Sequence, residues 1–343
     1  MQSAKTTILL LYTGGTIGMV KDSLTGALKA FDFKKLLDNI PELNLLDCDI
    51  ATVSLKEPID SSNMNIQHWQ DIAGLIEENY NKYDGFVVLH GSDTMSYSAS
   101  ALSFMLENLT KPVVFTGSQL PIGDLRTDAK ENLITAIQIA SLREKGVSVI
   151  QEVCLYFEYK LYRGNRTTKI SAEHFSAFSS PNFPELAESG VHLNLNNTVL
   201  LKQTSKKTLK VNKEFDDNIV VLKLFPGINK NILSAIINIQ NLKGIVLETY
   251  GSGNAPSENW FIDEIQNAIN KNIYVINVTQ CSGGAVNMGQ YETSTKLKSI
   301  GVISGFDITT EAAVAKLMYL LGQNVSSVVF KTIFETSIRG EMN

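Results

Sequence analysis

The sequence predicts an α/β protein built from two domains. Three observations carry that expectation. Short apolar runs alternate with segments of helical period along most of the chain, the pattern of βα units. Polar, glycine-rich segments follow several of those runs directly, as loops do at the carboxyl ends of parallel strands. The chain has 343 residues, and at roughly 100–200 residues per domain that gives about two domains.

The elements follow in order. Thr6–Tyr12 reads as a buried strand and runs into Thr13-Gly14-Gly15-Thr16-Ile17-Gly18. Cys48–Leu55 reads as a second strand, followed by Asp60-Ser61-Ser62-Asn63-Met64. Ile66, Trp69, Ile72, Ala73, Ile76 and Tyr80 recur at helical spacing, so Asn65–Tyr80 is expected as a helix. Gly85–Leu89 is a strand ending at His90-Gly91-Ser92-Asp93-Thr94, and Ser96–Leu109 a helix. Then come a strand at Pro112–Phe115, a helix at Ala129–Arg143 and a strand at Val147–Phe157. Between Ser171 and Lys213 the pattern weakens and Ser, Asn and Pro cluster, as at a crossing between domains. We expect a first domain over 1–190, a linker over 191–217 and a second domain over 218–343. In the second, Ile219–Phe225, Gly244–Thr249 and Ile273–Val278 read as strands, and Lys230–Gln240, Glu258–Asn270 and Thr310–Leu321 as helices.

Composition excludes several classes of function. Lys and Arg number 30 against 35 Asp and Glu, a net charge of −5, which lacks the basic footprint of a nucleic-acid binder. Hydrophobic residues make up 44%, enough for ordinary cores. Cys48, Cys154 and Cys281 are far apart with no CxxC, so neither a disulfide framework nor a zinc site is expected. The apolar run Ile8–Leu11 is too short for a signal-peptide core, and no run approaches the roughly 18 apolar residues of a membrane span. A cytoplasmic protein is expected.

The segments after the strands are where chemistry is expected. Each is also what a turn with a helix N-cap looks like, because Ser, Thr, Asp and Asn cap helices for structural reasons alone. Thr13–Gly18 is neither a P-loop, since no Lys follows at the required place, nor a full dinucleotide fingerprint. Its paired glycines let backbone approach a small ligand and expose Thr16, whose hydroxyl needs a base or relay to act as nucleophile. His90–Thr94 sets the Ser92 hydroxyl beside the Asp93 carboxylate. His90 is a tempting base, but a packed strand-end histidine is the commoner outcome. No G-x-S-x-G elbow is present. Arg163-Gly164-Asn165-Arg166-Thr167-Thr168-Lys169 reads either as a solvated loop or as a segment that folds Lys169 back to Asp93 for proton transfer.

Taken together, these segments resemble a known family. Thr13–Gly18 resembles the first asparaginase signature and His90–Met95 the second. Asp60-Ser61-Ser62, Arg163–Lys169 and Tyr250-Gly251-Ser252-Gly253-Asn254 match in order and spacing. The resemblance covers essentially the whole chain and is closest to the cytoplasmic, type I bacterial L-asparaginases. It implies a larger N-terminal α/β domain with a mixed sheet and helices on both faces, and a smaller, flavodoxin-like C-terminal parallel sheet. It implies hydrolysis of L-asparagine to L-aspartate and ammonia with no metal or cofactor, by a homotetramer that is a dimer of dimers.

By position, the resemblance makes Thr16 the nucleophile and Ser92, Asp93 and Lys169 a second triad. Asp60, Ser61, Ser62, Ser92 and Asp93 would bind substrate, with N–H groups near Gly91 and Ser92 on the oxyanion. Asn254 and Tyr291 would reach a neighbouring subunit's site. The chain departs from the family pattern at three places. Ser92 stands where Thr is usual. The stretch Lys21–Leu28 lacks a tyrosine common after the first signature. Glu248 stands where some relatives place an arginine of an allosteric asparagine site, although Thr168 and Cys281 match that site. A broader glutaminase-asparaginase, and a non-catalytic amino-acid-binding protein on the same fold, are the alternative readings. The intact set Thr16, Ser92, Asp93 and Lys169 favours an enzyme.

Overall fold

The structure is a computed structural model, and it describes residues 5–21, 28–30, 40–202, 207–290 and 292–343. The chain divides into two compact units, Met1–Lys213 and Glu214–Asn343.

The first unit is organised by an eight-stranded mixed sheet. Its strands are β1 (Thr6–Gly14), β2 (Cys48–Ile59), β3 (Gly85–Leu89), β4 (Val113–Thr116), β5 (Val153–Phe157), β6 (Lys160–Arg163), β7 (Ala187–Ser189) and β8 (Leu193–Leu195). They lie in the order β8-β7-β6-β5-β4-β3-β1-β2. The five strands from β5 to β2 are parallel, and β6, β7 and β8 continue antiparallel. The central strands are apolar throughout because both faces are covered. Ile8, Leu10, Val87 and Val114 pack into a core with Leu133, Ala136 and Ile137 of helix α2 (Ala129–Ser141), while Leu9, Leu11, Phe86, Val88 and Phe115, which alternate with them, are equally buried. Helix α1 (Ile66–Asn79) buries Trp69, Ile72, Ala73 and Ile76, and the helix at Met95–Met105 packs on β5.

The sequence showed one strand over Val147–Phe157. The chain instead makes a short hairpin, Arg143–Glu144 with Val147–Ser148, and the strand proper starts at Val153. Lys145 and Gly146 turn that hairpin at φ 51 and 81, and the break ends at Glu152, whose carboxylate is held by Arg163. The weakly patterned stretch after Ser171 carries β7 and β8, and Lys210–Val211 pairs with Leu106–Glu107.

The second unit holds a four-stranded parallel sheet of β9 (Ile219–Lys223), β10 (Gly244–Thr249), β11 (Tyr274–Thr279) and β12 (Ile303–Ser304), in sequential order. The helices at Lys230–Ile237 and Asn259–Asn270 put Leu233, Ile237, Phe261 and Ile265 into one core with Leu222, Leu247 and Val275. The helix at Thr310–Gly322 packs on β10 and β11. This is the α/β arrangement expected, with a smaller parallel sheet in the C-terminal unit. Among the described residues, no helix is long and apolar enough to cross a membrane.

Candidate active site

Four neighbouring parallel strands, β2, β1, β3 and β4, end on one edge of the first sheet, where an open α/β sheet binds its ligands. Their loops are drawn together by close backbone approach. Gly15 has φ 85 and ψ 170, a region that glycine alone occupies without strain. A Cβ there would stand 2.5 Å from the Gly91 nitrogen, and one on Gly91 would stand 2.5 Å from Ser61 Oγ. Glycine at both places lets three turns meet. Side chains then tie them: Thr13 Oγ1 donates to Leu89 O at 2.8 Å, and Thr94 Oγ1 to Ser61 O at 2.7 Å.

Thr16 opens a single 3-10 turn, Thr16–Gly18, and is half-buried. Its hydroxyl makes no hydrogen bond to a described residue. Asp60 caps the turn Ser61–Asn63, its Oδ1 accepting from Ser62 N at 3.0 Å and from Ser62 Oγ at 2.9 Å. Those bonds, the backbone one first, hold the Asp60 carboxyl below the usual carboxylate range. Asp60 and Ser62 are exposed, whereas Ser61 is buried.

Lys169 folds back onto the second turn, as the sequence suggested. Its Nζ donates to Ser92 Oγ at 2.8 Å and to Asp93 Oδ1 at 2.7 Å. The lysine side chain is 17% exposed and the aspartate 66%. Lys169 stands on a two-residue strand, Thr168–Lys169, paired with Phe178–Ser179. The segment leading to it is no solvated loop: Arg163, Asn165, Arg166 and Thr167 are all buried. Arg163 donates to Glu152 Oε2 at 2.6 Å and to Val199 O at 2.6 Å, and lies over the Phe183 ring. The Thr167 and Ser96 hydroxyls share a hydrogen bond of 3.1 Å, fixing the segment to the helix that follows Asp93.

Two capping or base readings give way here. Ser92 does not cap that helix. The position before Met95 is Thr94, with no side-chain cap bond, and the Ser92 hydroxyl donates to Gln119 Oε1 at 3.1 Å instead. His90 is fully buried, its Nδ1–H donating to the Gly91 carbonyl at 2.7 Å. Burial pushes its pKa down to about 4, so the ring is neutral and packed rather than a base. Gln119 was not anticipated. It follows β4 in Thr116-Gly117-Ser118-Gln119, another polar, glycine-containing segment at a strand end, and that position was its signal.

Asn254 lies in the second unit, closing a tight turn in which it exchanges backbone hydrogen bonds of 2.8 Å with Tyr250. Glu248, also there, accepts from Thr310 Oγ1 at 2.8 Å and faces Lys223 at 3.8 Å. Cys281 is exposed. Tyr291, and residues 22–27 of the segment lacking a tyrosine, lie outside the described residues.

Known proteins share this sequence and fold along nearly the whole chain. L-asparaginase 1 of Escherichia coli (strain K12) is 42% identical over 339 residues, covering 98% of each chain. The 60 kDa lysophospholipase of Mus musculus is 41% identical over 98% of this chain and 62% of its own length. The crystal structure of L-asparaginase I from Vibrio cholerae O1 biovar eltor superposes with a TM-score of 0.90 at 42% identity, covering 99% of this chain and 100% of that one. Residues 7–201 match the family model for the N-terminal asparaginase domain, and residues 218–334 that for the glutaminase/asparaginase C-terminal domain. On both domains the chain belongs to the asparaginase family.

Proposed function

We propose that this protein hydrolyses the side-chain amide of L-asparagine to L-aspartate and ammonia, with Thr16 as nucleophile. The observation that carries the reading is the Lys169 amine bonded to both the Ser92 hydroxyl and the Asp93 carboxylate, on the sheet edge where the Thr16 turn also stands. Thr16 Oγ1 attacks the amide carbon, forming a C–O bond. Its proton passes to Ser92 Oγ, the Ser92 hydrogen passes to Lys169 as Lys169 gives one of its own to the amide nitrogen, the C–N bond breaks and ammonia leaves. Water then adds to the ester, its proton returns to Thr16 and L-aspartate departs. The carboxylates of Asp60 and Asp93 take the α-ammonium, Ser61 and Ser62 take the α-carboxylate, and Ser92 meets the substrate at the reacting amide. N–H groups at Gly91 and Ser92 open a 3-10 turn and lack helical partners, which suits them to the oxyanion.

The same reading places the enzyme in the cytoplasm, supported by three cysteines that are all free thiols. It makes the enzyme a homo-oligomer, a dimer of dimers, in which Asn254 and Tyr291 serve a neighbouring site. Exposed Val221, Phe225, Ile232 and Ile239 in the second unit support an association surface. Light scattering of the purified chain tests the assembly. Ammonia release from L-asparagine, with L-glutamine assayed in parallel, tests the reaction. Thr16→Ala should lower turnover by at least about a thousandfold, in the range seen on losing a nucleophile, while circular dichroism stays native. Activity within a few-fold of the parent would remove Thr16 from its role.

A further inference from the structure

We infer that Gln119 is a positioning residue of the reaction, fixing where the Ser92 hydroxyl points its hydrogen and its lone pairs. The inference rests on the function proposed above. The Gln119 carboxamide is held at both ends: Oε1 accepts from Ser92 Oγ at 3.1 Å, and Nε2 donates to His174 O at 3.0 Å. The second bond settles the first, because flipping the amide would set two carbonyl oxygens against each other at His174. The backbone of Gln119 is anchored as well. Asp128, which is buried, accepts from Gln119 N at 2.9 Å and Leu120 N at 3.1 Å, and Asn132 Nδ2 donates to Gly117 O at 3.0 Å. A run of hydrogen bonds thus leads from the start of α2 to the Ser92 hydroxyl.

The consequence follows from counting protons. Ser92 Oγ carries one hydrogen and two lone pairs. The Lys169 ammonium only donates, so it fills one lone pair at 2.8 Å. The hydrogen goes to Gln119. One lone pair stays open, aimed at neither neighbour, to accept a hydrogen bond from an attacking hydroxyl; the proton follows only as Ser92 turns its own hydrogen to Lys169, which by then has given one of its protons to the leaving nitrogen. Serine needs this restraint more than threonine would, because it lacks the β-branch that limits χ1. Without an acceptor at residue 119, the hydroxyl is free to rotate its hydrogen into the lone-pair direction the reaction requires.

Gln119→Met keeps the length and removes both hydrogen bonds. We expect kcat on L-asparagine to fall about tenfold, the lower range for an acid–base partner, with KM within about twofold, the split of an interaction made in the transition state. In a Ser92→Ala background the same change should cost nothing further, and in a Ser92→Thr background less than in the parent. Melting temperatures taken alongside separate unfolding from loss of rate. If Gln119→Met does not fold, Gln119→Leu carries the same comparison. Losses that multiply in the Ser92→Ala background, or a KM effect with kcat intact, would overturn the inference while leaving the proposed function standing. An undiminished kcat for Ser92→Ala alone would instead strike at the proposed function.

Discussion

At the scale of single residues, the site is a set of hydrogen bonds with assigned directions. Lys169 and Asp93 form an ion pair in which the carboxylate is 66% exposed, so water screens it and its contribution to folding is small. Its value is positional, holding Nζ on the Ser92 hydroxyl. Lys169→Met should therefore cut kcat by orders of magnitude, with a smaller change in KM and a melting temperature close to the parent's. Steady-state kinetics and calorimetry on that variant check this, and a pure KM effect would make Lys169 a substrate clamp instead. Ser92→Ala should lose at least about tenfold in kcat. Because the hydroxyl donates to Gln119 and not to the helix, the roughly 1 kcal/mol that a lost N-cap costs should be absent. A destabilised but fully active Ser92→Ala would place the residue outside the chemistry.

At the scale of elements, the site depends on loops of adjacent strands meeting at glycine. Gly15→Ala puts a Cβ 2.5 Å from the Gly91 backbone at a φ of 85°. Backbone strain of about 1–3 kcal/mol would be joined by a shift of both turns. We expect a protein that still folds with a lowered melting temperature and loses at least about a hundredfold in kcat, as positioning losses do; wild-type kinetics in Gly15→Ala would show the two turns need not touch. Of the strands that build this edge, β1, β3 and β4 were legible in the sequence because each is an apolar run, buried on both faces and stopped by a polar turn. Less legible were the antiparallel strands that extend the sheet. The hairpin between β5 and β6 turns on Glu158 and Tyr159 at φ 46 and 66, left-handed positions where Asn-Gly would have announced it. β7 and β8 are three residues each, too short for a period to show. The buried Arg163–Glu152 pair was hidden for a different reason. Eleven residues apart in sequence, its members read as surface charges until the hairpin brings them together. Of the site itself, the glycine signatures and the lysine segment were visible as motifs. Gln119 was not, since its part depends on an amide orientation that only neighbouring carbonyls define.

At the scale of the whole molecule, buried ionisable groups are either paired with an opposite charge or held neutral, and this fixes how stability follows pH. In the second unit Lys316 is fully buried, donating to Phe334 O and Thr336 O at 2.7 Å each and to the Glu341 carboxylate. Burial lowers its pKa from the ordinary lysine value, yet it remains paired, and losing one partner of such a pair typically costs 3–5 kcal/mol. His90, in the first unit, has no such anion: its imidazole meets a carbonyl at Nδ1, and Nε2 is buried without a partner. Its pKa falls from 6.5 to about 4 on folding. The sign is then fixed. Above about pH 6.5 neither folded nor unfolded chain protonates the ring, and no penalty exists. Below it the unfolded chain takes up a proton that the folded chain refuses, so stability falls with pH until about pH 4, by an order of 3 kcal/mol in total. Denaturant titrations at pH 7 and pH 5 should show a loss of about 2 kcal/mol over that interval from this residue alone. His90→Gln keeps an N–H for the Gly91 carbonyl and has nothing to titrate. Whatever its stability at pH 7, its slope between pH 7 and 5 should be flatter than the parent's. Equal slopes in the two proteins would mean that the buried ring is not what acid attacks first.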